Sequence, residues 1–108
     1  MSAHDYYVLR LGEDLRHGEL AVVRLWAPQA LGYVHAVEKA GVYTMAEIGR
    51  HHVDAISAAA VPCAIVEAVV VKRGEIHVFP QRELARVIRA AARVAAYRAR
   101  VEQAGGAS

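Results

Sequence analysis

Arg82, Arg86, Arg89 and Arg93 recur at steps of four, three and four residues, which lines four guanidinium groups along one face of a helix. A row of this kind neutralises phosphates or docks on an acidic partner; its plain alternative is a solvated face that keeps an Ala-rich helix in solution. With Arg98 and Arg100, the stretch meets only Glu83 until Glu102. The other chemistry-bearing residues are sparser. Six histidines (His4, His17, His35, His51, His52 and His77) form no H-x₃₋₅-H pair beside a carboxylate, and the single cysteine has no partner. No metal site and no cofactor is therefore expected. Cys63 opens an apolar run without a nearby cation to lower its pKa, which favours an inert buried thiol over a nucleophile. An enzyme using Cys63 and a histidine is the weakest reading. No glycine-rich phosphate loop and no nucleophile elbow is present.

The elements that must position these residues are centred on Cys63–Arg100. CAIVEAVVV (Cys63–Val71) carries one charge, Glu67, and reads as a strand buried on both faces. KRGE turns into IHVF, and after Pro80 the period changes. Leu84, Val87, Ile88, Ala91, Val94 and Ala95 then mark one side of a helix, opposite the arginines. Upstream, Tyr6–Leu11 and Leu20–Trp26 read as two strands of a hairpin with a longer loop. Pro28 to Gly41 is predicted as a helix, with proline in its first turn and glycine as its stop. Thr44 and Glu47 match a capping box that starts a second, short helix. His52–Ser57 alternates as a half-buried strand does. Ala58–Pro62 reads as a connection into the central strand, and QAGGAS as a frayed tail.

At 108 residues the chain is one domain, read as an N-terminal hairpin (1–27), a main body (28–101) and a tail (102–108). The fold class expected is mixed α/β, a small central β-sheet flanked by helices. No apolar run reaches the roughly 18–20 residues that span a bilayer, so no membrane partner is expected. MSAHDYY lacks an apolar h-region and does not read as a signal peptide. A lone cysteine fits a reducing, cytoplasmic setting. There is no asparagine, and eleven arginines stand against two lysines; thermophily and a GC-rich genome both produce this bias. The net charge of +2 is modest, so the placement of the arginines matters more than their number.

Two families are within reach. LGYVHAVEKAGVYTMAEIGR resembles the first helix, short strand and second-helix start of winged-helix regulators, with Ala64–Phe79 as the wing. That resemblance implies a homodimeric DNA-binding regulator. Its reading helix would be DAISAAAV (Asp54–Val61), which holds no Arg, Lys, Asn or Gln to read base edges. The longer resemblance runs from Gly32 to about Val101 and is to the nuclease domain of archaeal tRNA-splicing endonucleases. A helix ends in glycine and a short strand (EKAGVYT), a strand follows (HVDAI), and then a strand opens at the position of the catalytic histidine (CAIVEAVVV). A helix of the form R-x-A-x-x-V-x-K comes last, matched by Arg89, Ala91 and Val94.

Members of that family cleave RNA with a Tyr, a His and a Lys. The matching positions here are Ala58, Cys63 and Ala96, none of which serves those roles. The resemblance thus implies a non-catalytic, structural subunit of a heteromeric tRNA-intron endonuclease. Its expected partners are a catalytic subunit, in a heterotetramer, and precursor tRNA reached through the complex. It also implies that the family's N-terminal domain is reduced to Tyr6–Trp26 and its terminal hairpin cut short after Val101. Arg82, Arg86, Arg89 and Arg93 are the expected contacts to RNA or partner.

Overall fold

The computed structural model describes residues 5–12, 15–51 and 57–106. Its centre is β1, Tyr6–Arg10 (YYVLR), whose residues Tyr6 to Leu9 are all buried. Five residues of alternating side chains must find cover on both sides of a sheet. Tyr7 and Leu9 enter the larger core with Val23, Leu25, Val61, Val66, Phe79 and Val87. Val8 points the other way, into a second cluster with Tyr43 and Ala58, against which Trp26 and Ile48 pack.

Along its length β1 pairs antiparallel with β6 (Ala58–Pro62), in the register Tyr6↔Pro62 to Arg10↔Ala58. On its other edge Leu9 pairs with Leu25 of β4 (Leu25–Trp26), and β4 pairs with β5 (Tyr33–Val34). The first sheet is therefore β5-β4-β1-β6. The second sheet is built from two hairpins, β2 (Leu15–His17) with β3 (Leu20–Val23), and β7 (Val71–Arg73) with β8 (Ile76–Pro80). Each hairpin turns in two residues led by a glycine at φ 64, Gly18 or Gly74, the place that a type II′ turn gives to glycine. β3 pairs with β8, which gives the order β2-β3-β8-β7. The fold is thus mixed α/β, with two antiparallel four-stranded sheets. Among the described residues, three α-helices join them: α1 (Met45–Arg50), α2 (Cys63–Glu67) and the C-terminal α3 (Leu84–Gly106).

Several elements differ from expectation. The run Leu20–Trp26 does not form one strand with Tyr6–Leu11 as its hairpin partner. It breaks at Arg24 and passes from the second sheet to the first, the bend by which one chain serves two packed sheets. Pro28 to Gly41 is not a helix. Gln29 and Ala30 take φ 60 and φ 56, which reverses the chain so that Tyr33–Val34 can pair with β4. Only short 3₁₀ turns remain, at Pro28–Ala30 and Val37–Lys39. The Tyr43 hydroxyl holds the reversal by accepting from the Ala30 N–H at 2.9 Å and donating to the Ala27 carbonyl. A winged helix would need its first helix here.

Cys63–Val71 is not the central strand. Cys63–Glu67 is helical, with Cys63 and Val66 buried three residues apart on one side. The strand comes just before it, at Ala58–Pro62, where a loop was expected. Alanine has low β-propensity, but pairing with all of β1 overrides it. A short apolar run is the pattern that periodicity divides least well between strand and helix. Among the smaller elements, α1 starts with the expected capping box. The Thr44 N–H donates to Glu47 Oε1 at 3.0 Å, and the Glu47 N–H donates back to Thr44 Oγ1 at 3.3 Å. The proposed strand at 52–57 lies outside the described residues except for Ser57, and α3 continues through Gly106 where a frayed tail was expected.

Gly41 is fixed by packing, not by a helix end. A Cβ there would meet the Pro28 Cα at 2.8 Å and the Tyr43 ring at 2.9 Å. Gly41→Ala is expected to destabilise the fold by about 1–3 kcal/mol, the range for overpacking a tight site. Urea denaturation checks this; an unchanged midpoint would mean that the Tyr43 clamp yields without cost.

Candidate nucleic-acid interface

α3 is reached from β8 through a 3₁₀ turn at Gln81–Glu83. Pro80 fixes the entry, and the alanine-rich sequence propagates the helix at little side-chain entropy cost. Val87 is buried, and Leu84, Ile88 and Ala91 pack beside it on the larger core. At about 100° per residue, the opposite side of the helix carries Arg86, Arg89, Arg93 and Arg100, with Arg82 in the preceding turn. All five are exposed. The expected arginine row is therefore present as a solvent face, and Arg100 extends it by two turns.

Arg86 donates to both carboxylate oxygens of Glu83, at 2.5 and 2.8 Å. Among the described residues, Arg82, Arg89, Arg93 and Arg100 have no carboxylate within ion-pair distance. Charges in a line along one helix face, with one counter-charge among them, sum to a positive potential that extends about a Debye length into solvent. Arg98 does not belong to this row. It lies on the other side of α3, donates to the Tyr6 hydroxyl and sits 5.8 Å from the centre of that ring.

The three positions that match the endonuclease triad do not converge. Ala58 is buried at the start of β6 and Cys63 is buried just past its end, about 16 Å away at strand spacing. Ala96 is exposed on α3. Burial raises the Cys63 thiol to about 11, with Glu67 and Asp5 nearby adding to the effect. A thiol held so far above its usual range is a poor nucleophile and a poor metal ligand at neutral pH. Among the described residues, no group of three His, Cys, Asp or Glu is placed to hold a metal ion.

Three constellations were invisible in the sequence because their members are far apart in it. His77 Nδ1 lies 2.5 Å from Glu38 Oε2, and the His77 N–H donates to both Glu38 oxygens at 2.9 and 3.1 Å. These bonds to His77 pull the Glu38 carboxyl down to about 2. Tyr7, pushed up to about 12 by burial and by Glu67, reaches Glu67 at 3.5 Å. The third constellation is at the far end of the first sheet. There the Arg10 and Arg24 guanidinium carbons lie 4.4 and 5.4 Å from the centre of the Tyr33 ring. Both arginines make further interactions.

No family model, curated protein or solved structure matches the chain. The arginine face of α3 thus stands on its own geometry.

Two measurements check these assignments. Glu38 titrates lower when folded than when unfolded, so its contribution to stability is present above about pH 4.5 and is lost as the pH falls toward about 2. Glu38→Gln should therefore remove part of the acid-induced loss seen in urea midpoints across that window; an identical pH profile would mean that the His77 contact is not formed in solution. Cys63 should resist alkylation at pH 8 in the native protein and react fully in denaturant. Rapid labelling of the folded chain would reopen the nucleophile.

Proposed function

We propose that the chain is a non-catalytic RNA-binding subunit that lays the arginine face of α3 along a phosphate backbone. The observation that carries the proposal is the row Arg82, Arg86, Arg89, Arg93 and Arg100, exposed along one side of a helix with Glu83 as its only ion-pair partner among the described residues. Guanidinium groups match phosphate geometry bidentately and release condensed counterions when they bind. A row of them on a helix positions a backbone but reads no base sequence. RNA specificity must then come from other parts of an assembly.

The tRNA-intron endonuclease is the complex that the sequence resemblance offers. Support for it now comes from the C-terminal stretch, where the hairpin β7–β8 leads into the helix that carries Arg89, Ala91 and Val94. The helix at 28–41 and the strand at 63–71, on which the resemblance also drew, have other structures. The structural-subunit role is therefore the narrower part of the proposal, and phosphate binding the broader. In the narrower part, the isolated chain cleaves no intron-containing precursor tRNA and supports cleavage when mixed with a catalytic subunit. Cleavage by the chain alone would end that reading without touching phosphate binding.

The broader part is tested by salt dependence. In the Arg86→Ala, Arg89→Ala, Arg93→Ala triple variant, the slope of log K against log salt for an RNA transcript should shrink by about 2–3. Helix content should be kept, because alanine is the best helix former. An unchanged slope would make the row a solvated face and nothing more.

A further inference from the structure

We infer that Tyr97 is a stacking platform for an unpaired base, which makes the arginine face of α3 a site for single-stranded RNA, an assignment that rests on the phosphate-binding reading of that face. The spacing of the row points to it. Arg82, Arg86, Arg89 and Arg93 follow steps of four, three and four, and the next steps of four and three reach Tyr97 and Arg100. A tyrosine thus stands at the place where one more arginine would continue the line. It lies about 6 Å of helix rise past Arg93 and about 4.5 Å before Arg100. Residues three and four apart are neighbours on a helix surface. Arg93 and Arg100 therefore flank Tyr97 on one hand, and Val94 and Val101 on the other. The ring is at the seam between the charged side of α3 and its apolar side.

The ring is open to such a ligand. Tyr97 lines the groove between α3 and the first sheet, yet it is 61% exposed. Among the described residues its hydroxyl makes no hydrogen bond, and its ring makes no aromatic or cation–π contact. The other exposed tyrosine, Tyr33, has Arg10 and Arg24 over its ring. In a single strand the bases are free to turn away from the phosphates, and every base offers a π-face whatever its identity. A strand laid along α3 with its phosphates on the guanidinium groups can therefore set one base on Tyr97. In a duplex the bases are paired and stacked inside the helix, and the ring has only backbone and groove edges to meet. The arginines serve both forms of RNA through their charge; the ring serves only the unpaired one. Because stacking tolerates any base, the site selects unpaired RNA and not a sequence.

Fluorescence anisotropy with the whole chain, comparing a short labelled oligouridylate with a labelled RNA duplex, tests this. Tyr97→Ala should weaken oligouridylate binding about tenfold and change duplex binding by less than about twofold. Helix content should be kept, because alanine is the best helix former. The slope of log K against log salt should match that of the parent chain, since no phosphate contact is lost. Tyr97→Phe should bind as the parent does, because the ring and not the hydroxyl stacks. A second readout needs no substitution: the Tyr97 ring protons should shift upfield in nuclear magnetic resonance on titration with oligouridylate and stay in place with the duplex. Equal losses on both RNAs, no loss on either, or binding of the duplex alone would overturn the inference. Its failure is distinct from that of phosphate binding. If the Arg86→Ala, Arg89→Ala, Arg93→Ala variant flattens the salt slope while Tyr97→Ala changes nothing, the row stands and the stacking platform falls. If the triple variant leaves the slope unchanged, the arginine reading falls and the inference with it.

Discussion

The double-sided burial of β1 is the constraint from which the rest follows. A strand whose four leading residues are all buried needs partners on both edges and cover on both faces. β4 and β6 supply the edges. The larger core covers Tyr7 and Leu9, and Tyr43 with Trp26 and Ile48 covers Val8. The bend at Arg24 is a consequence, because the strand that leaves the second sheet must reach Leu9. The reversal at Gln29 and Ala30 is another, because β4 would otherwise be an open edge. Tyr43 ties these demands together: its backbone exchanges hydrogen bonds with Tyr6 at 2.9 and 2.8 Å, and its hydroxyl closes the reversal.

α3 answers the remaining demand. Val66 and Phe79 must be kept from water, and Leu84, Val87, Ile88 and Ala91 do this from one side of the helix. Burial fixes the rotation of α3 about its axis, and that rotation decides where each arginine goes. Arg82, Arg86, Arg89, Arg93 and Arg100 face solvent, whereas Arg98, out of step with them, is brought to Tyr6. The same packing leaves the second half of α3 beyond the core with an apolar side open. One helix thus carries a charged surface and an apolar one, kept apart by its own periodicity.

How far the sequence announces this depends on the range of the forces involved. α3, its arginine face, the tight turn after Arg73 and the Thr44–Glu47 cap are local, and a periodic pattern or a four-residue motif is enough to show them. β6 and α2 exchange places relative to expectation because both are short and apolar, and only the pairing of Ala58–Pro62 with β1 distinguishes them. The segment after Pro28 looks helical by spacing, yet the pairing of Leu25 with Val34 outweighs that weak preference. Glu38 with His77, and Arg10 and Arg24 with Tyr33, are contacts across strands and turns, which no spacing rule reaches. The arginine row was legible as a set of residues, but the exclusion of Arg98 and the inclusion of Arg100 needed the helix's buried side.

The central claim is that one face of α3 meets phosphate. Its most direct measurement is nuclear magnetic resonance of the arginine side-chain Nε–Hε groups during titration with an RNA oligonucleotide. The account predicts saturable shifts for Arg82, Arg86, Arg89, Arg93 and Arg100, with Arg98 unmoved at Tyr6. Shifts confined to arginines elsewhere in the chain, or none at concentrations that saturate binding, would contradict it.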